Sequence, residues 1–435
     1  MPRVLVLHPG TIAFRQEQVA RHREFLREND IQLVLADDSL VESDREHFDD
    51  CIALPPAERV RDALRILDRY CAEHDVDAVL SQSESSVLLG SLVYRMLSLP
   101  GISPRAAHLC VNKHASRVAL QRAGVRVPRF ALARDAAGVR AAADELGFPI
   151  VLKGVASALG RLVTLVRSAG EIDAAVARVS AGIATSLDVE RLCDFTRAAR
   201  LDPGCDPRHE FLVEAFARGD PVETDGLVLG AKPCSFGVTE QVLSAPPRFY
   251  LEGYLSPAER SAADVDAIER TSAAALLASA VEDSSYSIEM RIERGEASVI
   301  EVNGRLGWDE GFGDMFERTT GCQPMIATLH QALGLVPRIA RREGVHCALA
   351  YASCYDDAIV ERVPTAEELA ALANGRVTIG LATYANARFH APPHPDVAPH
   401  LAYALAEHPT SSRAAFAAAH AAVGRVPFGI RRVSE

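Results

Sequence analysis

Lysine is almost absent from this chain. It occurs only at positions 113, 153 and 232, and arginine supplies the rest of the 46 basic residues. A bias toward arginine accounts for most of the surface but not for the lysines that persist. Lysine offers a compact charge on a flexible stem, which arginine's planar fork cannot copy at a tight phosphate site, so Lys113 and Lys153 stand out. The nine cysteines form no CxxC pair, and an odd count without metal spacing reads as reduced thiols in a cytoplasm. No apolar run approaches the ~18 residues of a membrane span. The opening MPRVLVLHPG goes straight into a strand-like run and lacks the core and cleavage site of a signal peptide. A net charge of −12 without basic clusters argues against nucleic acid, although a local pocket can still be basic. No GxGxxG follows the first strand-like run, so dinucleotide binding there is unsupported. No polar tract is long enough to suggest disorder.

What is present is a soluble globular composition, 435 residues with 48% apolar content, enough for about three domains at ~150 residues each. The boundaries expected are 1–111, 112–335 (with subdomains of about 112–205 and 206–335) and 336–435. In the first part, strand-like runs at 4–8, 31–38, 49–56 and 77–84 alternate with helical spacing at 15–29 and 58–74. Such alternation implies a parallel sheet covered on its faces. Ligands of these sheets bind beyond the carboxyl ends of strands, which makes Ser83 and Glu84 candidates. A carboxylate favoured by a helix N-terminus explains Glu84 equally well.

From 113 the spacing predicts a helix stopped at Gly124, a strand over 128–133, a helix over 136–146, and strands over 148–154 and 161–168. The loop between those last strands, VASALG, contains Ser157 and Gly160. Its backbone N–H groups can fold over phosphates, though an ordinary β-turn is the simpler explanation. Residues 180–207 read as mixed and end in the turn cluster LDPGCDP. Antiparallel strands are expected within 209–233, a loop-rich stretch over 237–257, a helix over 258–280, and a closing helix over 410–424. HAPPHPDVAPH (390–400) reads as a solvated loop, because its prolines forbid one helical face for its histidines. No long-period repeat is visible.

The most informative stretch is SIEMRIERGEASVIEVNGR, residues 287–305. A hairpin turning at Gly295 puts Glu289 opposite Glu301, with side chains ~5 Å apart. Like charges so placed repel unless something positive lies between them. With Asn303 they form an all-oxygen set suited to Mg²⁺, and Arg305, further along the same face, suits a phosphate or a developing oxyanion. The even-numbered residues, Ile300 among them, are expected to face the core, with Val299 breaking the alternation. Arg291 and Glu293 are expected as surface charges near the turn. A charged edge hairpin with no ligand would give the same pattern.

Together with NKHASRVALQRAGVRVPRF, GFPIVLKG, FLVEAFARG and the E-(11 residues)-E-x-N-x-R pattern of 289–305, the chain resembles the ATP-grasp enzymes of the carboxylate–amine, or amino acid, ligase type. The resemblance implies an α/β, multidomain α+β architecture. It would have an N-terminal Rossmann-like parallel domain, a two-part ATP-grasp domain and a small C-terminal α+β domain. It further implies ATP and Mg²⁺, two ions bridged by Glu301, with Mn²⁺ as an alternative. Lys113 and Lys153 match the lysines that hold phosphates, and Glu214 to Phe216 match the hinge that meets adenine. Glu289, Glu301 and Asn303 match the metal ligands, and Arg305 the arginine that steadies the acyl phosphate. The loop around Ser157 has fewer glycines than relatives carry. Pro221 stands where a ribose-binding glutamate often lies, so Glu223 or Asp225 substitutes. The sole tryptophan, Trp308, lines the acceptor pocket or fills a core. Glu240, Arg248 and Tyr250, with Glu84, are candidates for the substrate wall. The implied reaction joins a small-molecule carboxylate to an amine through an acyl phosphate, releasing ADP and phosphate. Competing expectations are a carboxylase of the biotin-carboxylase type and a non-catalytic ATP-binding protein. Neither a membrane nor nucleic acid is an expected partner, a homodimer is left open, and no general base is identifiable.

Overall fold

The computed structural model describes residues 1–158, 160, 162–245, 249–307, 309–390 and 399–433. The chain opens with β1 (Arg3–Leu7), α1 (Ile12–Glu28), β2 (Gln32–Asp37), β3 (Asp50–Ala53), α2 (Val60–Glu73), β4 (Ala78–Leu80), α3 (Val87–Leu97) and α4 (Pro104–Val111). Its four strands form a parallel sheet in the order β3-β2-β1-β4. Helices flank such a sheet on both faces, which is why Val4 to Leu7 form an unbroken apolar run and are all buried.

Next come α5 (Lys113–Arg122), β5 (Phe130–Ala133), α6 (Ala136–Leu146), β6 (Ile150–Gly154), β7 (Val163–Val166), α7 (Ile172–Ala184), α8 (Leu187–Ala199) and β8 (Phe211–Ala215). The strands make an antiparallel sheet, β5-β8-β6-β7. The Asn112 side chain caps α5 by accepting the N–H of Ala115. That fixes Lys113 as the first helical residue and Arg117 one turn later, on the same face. Asp135 caps α6 in the same way, and Gly147, at φ +81°, ends it. The stretch 180–207, expected as mixed, holds α8. Its buried Val189, Leu192, Cys193, Phe195 and Ala199 recur at helical spacing.

The third unit is β9 (Asp220–Leu229), β10 (Lys232–Leu243), β11 (Leu251–Ser256), α9 (Ala262–Ala278), β12 (Ser284–Glu293), β13 (Glu296–Asn303), α10 (Phe312–Thr320) and α11 (Pro324–Ala332). The last is β14 (His346–Ser353), β15 (Ala358–Arg362), α12 (Ala366–Leu372), β16 (Val377–Leu381), β17 (Arg388–Phe389), β18 (His400–His408), α13 (Ser412–Val423) and β19 (Gly429–Arg432). Strands of both join in one eight-stranded sheet, β13-β12-β9-β10-β11-β14-β18-β16, and β17-β15-β19 form a small separate one.

The β12–β13 hairpin turns at Arg294 and Gly295, both with positive φ, as a two-residue type I′ turn requires. Glu289 pairs with Glu301, as expected, but Met290 pairs with Val299. Ile300 is therefore an extra residue, a β-bulge. Val299 is fully buried while Ile300 is only partly so and lines the cleft described below. The expectation that Ile300 faces the core is thereby corrected.

Candidate active site

A cleft of about 630 Å³ lies between the β5-β8-β6-β7 sheet and the large sheet. The N-terminal sheet supplies Ser83 and Glu84, beyond the carboxyl end of β4, and β18 supplies His400. Its wall on the α5 side is an ion-pair chain. Lys153 Nζ lies 2.6 Å from one carboxylate oxygen of Glu214, and Arg117 Nε lies 2.5 Å from the other. Arg117 also donates to the carbonyl of the bulged Ile300. All three side chains are buried. Burial opposes the charge on Glu214, yet Arg117 and Lys153 hold its carboxyl down at about 2. Burial lowers the Lys153 ammonium, with Glu214 opposing. The Glu214 side chain thus fixes Lys153. Beyond it Phe216 lines the cleft. The connection to β9 passes through Gly219, whose φ is +97° and where a Cβ would collide with the Ile292 carbonyl.

On the floor, Lys113 Nζ reaches Glu301 Oε1 at 2.5 Å. Burial works against both charges, but Glu301 raises the lysine, and Lys113, Lys153 and Arg117 hold Glu301 below the usual carboxylate range. Glu289 has no such partner. Burial, then Glu301 and Glu223 beside it, push its carboxyl up to about 8. Glu289, Glu301 and Asn303 are the donors in question for a divalent cation. Two carboxylates and an amide oxygen form a hard, all-oxygen set, and the repulsion that drives Glu289 toward protonation is what a bound cation would relieve. The residues fit Mg²⁺. At the end of β13, Arg305 Nε and Nη2 both lie 3.0 Å from Glu84 Oε2. The fork is thereby aimed across the cleft, and Glu84 raises the guanidinium against the effect of burial.

The structure also places the remaining candidates. Ser157 lines the cleft, and its buried Oγ has no hydrogen-bond partner among the described residues. Tyr250 lines it as well. Glu223 sits next to Glu289 across the β9–β12 pairing and accepts from Ser287 Oγ and Gln241 Nε2, each at 2.6 Å. Asp225 accepts the N–H of Gly307 at 2.8 Å. Both acids stand at the metal-type cluster, four or more residues along β9 from the hinge glycine. Glu240 lies outside the cleft, with its carboxylate accepting from Arg260, Arg413 and the Glu259 N–H, each at 2.8 Å. Its neighbour Gln241 faces the cleft instead. Arg291, expected as a surface charge, lines the cleft and is partly buried, with Nη1 3.2 Å from the Gly219 carbonyl. Arg248 and Trp308 lie outside the described residues. Lys232 is exposed beside the β9–β10 turn.

The profile of the ATP-grasp domain matches residues 118–200. That stretch matches an ATP-grasp domain, and the chain has the ATP-grasp fold. An uncharacterised protein of Sinorhizobium fredii is 30% identical over 236 residues, 53% of this chain and 44% of that one. The chain spans less than half the length of the curated relatives it matches. Among solved structures, the L-amino acid ligase from Bacillus licheniformis superposes with a TM-score of 0.81 at 18% identity, covering 100% of this chain and 99% of that one. A biotin carboxylase–β,γ-ATP complex from Campylobacter jejuni gives 0.68 at 16% identity, over 98% and 92%. These two likenesses are of fold.

Arg191, Gln241, Ser287, Asp309 and His400 line the cleft and the buried Arg117 backs it, and the sequence pointed to none of them as site residues. Arg191 had a signal, since the helical spacing of α8 was readable. No helix among the described residues is long and apolar enough to cross a membrane.

Proposed function

We propose that this protein of ATP-grasp fold is an ADP-forming ligase that joins a carboxylate, an amino acid, to an amine through an acyl phosphate. The observation that carries this is the convergence of Lys113, Lys153, the Glu289–Glu301–Asn303 set and Arg305 on one cleft. Binding a nucleotide requires no arginine beyond the metal set, whereas stabilising a reacting acyl phosphate does. The whole-length likeness to an L-amino acid ligase supports the substrate class.

The chemistry is chiefly positioning and charge neutralisation, as in other phosphoryl transfers. Lys153, fixed by Glu214, and Lys113, fixed by Glu301, supply positive charge to the phosphates from two sides of the cleft. Glu289, Glu301 and Asn303 would hold Mg²⁺, one ion or two, which neutralises phosphate charge as a Lewis acid. Arg305, oriented by Glu84, meets the substrate carboxylate where its oxygen attacks the γ-phosphorus. The bond from that phosphorus to the ADP oxygen breaks, and an acyl phosphate forms. An amine then attacks the acyl carbon, and the C–O bond to phosphate breaks. Arg305 faces the oxyanion in both steps, and the burial of the cleft excludes competing water.

Purified protein given Mg²⁺, ATP and pairwise mixtures of amino acids should release ADP and phosphate only when a productive carboxylate and amine are both present. Product mass would show the amide. Release of AMP and pyrophosphate would sink the acyl-phosphate mechanism, and ADP release driven by bicarbonate alone would favour a carboxylase.

A further inference from the structure

Beyond Arg305 the cleft runs under the start of β18. His400, the first residue of that strand, lines it and is only 3% exposed. Its ring lies flat on Tyr351, with centroids 3.8 Å apart and planes within 4°. Tyr351 is itself anchored by a 2.9 Å hydrogen bond from its hydroxyl to the Glu310 carbonyl. The imidazole is therefore held in one orientation. Its Nε2 lies 3.0 Å from the Leu251 carbonyl oxygen. A carbonyl only accepts, so Nε2 carries the ring proton and Nδ1 keeps its lone pair. That Nδ1 is buried and has no hydrogen-bond partner among the described residues. A buried acceptor is costly to leave unmet, and one on a residue that lines a cleft calls for a donor from the ligand.

The surroundings specify the donor. Asp309, which accepts from the Tyr254 hydroxyl at 3.2 Å, and Glu223 line the same end of the cleft. Asp225 is close behind, on the strand that carries Glu223. None of these three acids forms an ion pair among the described residues, whereas Glu84, Glu214 and Glu301 each have a basic partner. Burial, and for Glu223 the neighbouring Asp225, push the carboxyls of Glu223 and Asp225 up; a cation would relieve that, and an amine at neutral pH arrives as one. Burial keeps His400 from being charged beforehand, with Asp309 opposing. No general base was visible in the sequence, and His400 is the one histidine among the described residues that line the cleft.

We propose that His400 Nδ1 is the base of the amine half-reaction and takes one proton from the ammonium form of the acceptor in the recess bounded by Asp309 and Glu223. The inference rests on the ligase function proposed above. The ammonium gives one proton to Nδ1, and the freed lone pair forms the C–N bond. The C–O bond to phosphate breaks, and the second amine proton leaves with the phosphate as HPO₄²⁻. His400 then returns its proton to water.

The test separates the two halves of the reaction by nucleophile. Wild type, His400→Asn and His400→Phe are given Mg²⁺, ATP and the twenty amino acids together, with and without hydroxylamine. Hydroxylamine is already neutral at pH 7 and needs no base. The Phe variant keeps a ring on Tyr351, and thermal unfolding checks that both variants are folded. The expected result is hydroxamate formation within about twofold of wild type and dipeptide formation lower by roughly 10²-fold or more, the usual range for a lost general base. Dipeptide formation at the wild-type rate in both variants would overturn the role of His400 and leave the ligase function standing. Loss of hydroxamate as well, in folded variants, would also overturn it, since His400 would then serve the first half. Wild type that makes neither product removes the ligase function and this inference together.

Discussion

Replacing Glu214 by Gln tests whether one buried carboxylate organises the nucleotide end of the cleft. The substitution keeps the side chain's shape and removes its charge, leaving Lys153 and Arg117 as two buried cations. Two routes give the size of the effect. Breaking a buried ion pair by neutralising one partner costs about 3–5 kcal/mol. Independently, the Glu214 carboxyl is held at about 2 against an ordinary 4.5. A depression of that size corresponds to roughly 3 kcal/mol for a fully buried group. The sign follows from linkage: a depressed carboxyl stabilises the fold above its unfolded value and loses that contribution as pH falls toward the folded one. Urea unfolding at pH 7 should therefore show E214Q destabilised by about 3–5 kcal/mol. The gap to wild type should close between pH 4.5 and about 2. With Glu214 gone the Lys153 ammonium is lowered further, because burial then acts unopposed, so Mg-ATP affinity should fall as well. A difference below about 1 kcal/mol, the level of an exposed pair, or one unchanged down to pH 2, would refute the account.

Arg305→Lys keeps the charge but loses the fork that Glu84 orients; kcat for ADP release should fall by about 10²–10³, with the KM for ATP changed far less. Glu301→Gln should cost at least ~10² in turnover while the fold persists, and calorimetry should show Mg²⁺ no longer strengthening ATP binding; undiminished activity would remove the metal assignment. Glu240→Gln should leave kcat untouched, because its carboxylate serves Arg260 and Arg413 outside the cleft, and should lower stability in urea by about 1–3 kcal/mol.

What the sequence disclosed was local. The helix expected over 136–146 is Ala136–Leu146, because its cap, Asp135, and its stop, Gly147, are neighbours in the chain. The facing of Glu289 and Glu301 followed from a turn at Gly295, six residues from either, and the structure bears it out with the help of the bulge at Ile300. What stayed hidden depends on phase set from afar. Glu240 was expected in a loop-rich stretch, but β10 runs on to Leu243 and its alternation turns Glu240 away from the cleft and Gln241 into it. Arg291 is sheltered because β12 is paired on both sides, by β9 and β13, which nothing near Arg291 announces. Arg117 looked like one more surface arginine in an arginine-rich chain, and only the approach of β8 and β13 to α5 makes it a buried strut. His400 lies in a separate segment whose strand enters the large sheet through β14. α8 is a different case, since its apolar spacing was present and was passed over.

The bulge at Ile300 connects these parts. The two-residue turn pairs Met290 with Val299, so an unbroken ladder would put Glu289 opposite Ile300 and turn Glu301 to the core face. Val299 stays in the core, where its N–H donates to the Arg126 carbonyl at 2.9 Å, and the extra residue, Ile300, turns toward the cleft and brings Glu301 onto the face of Glu289. A bulge also takes one residue out of the ladder, and here the Ile300 carbonyl accepts from Arg117 instead. Arg117 in turn holds Glu214, and Glu214 holds Lys153. Glu301, one residue past the bulge, is placed by it opposite Glu289 and in contact with Lys113. A single inserted residue therefore ties the acid floor of one sheet to the lysine of the other through side chains that are all buried. The two cleft lysines are fixed by this lattice from opposite ends, whereas Lys232 touches none of it. That distinction gives a physical reason for lysine to persist at 113 and 153 in a chain that otherwise uses arginine.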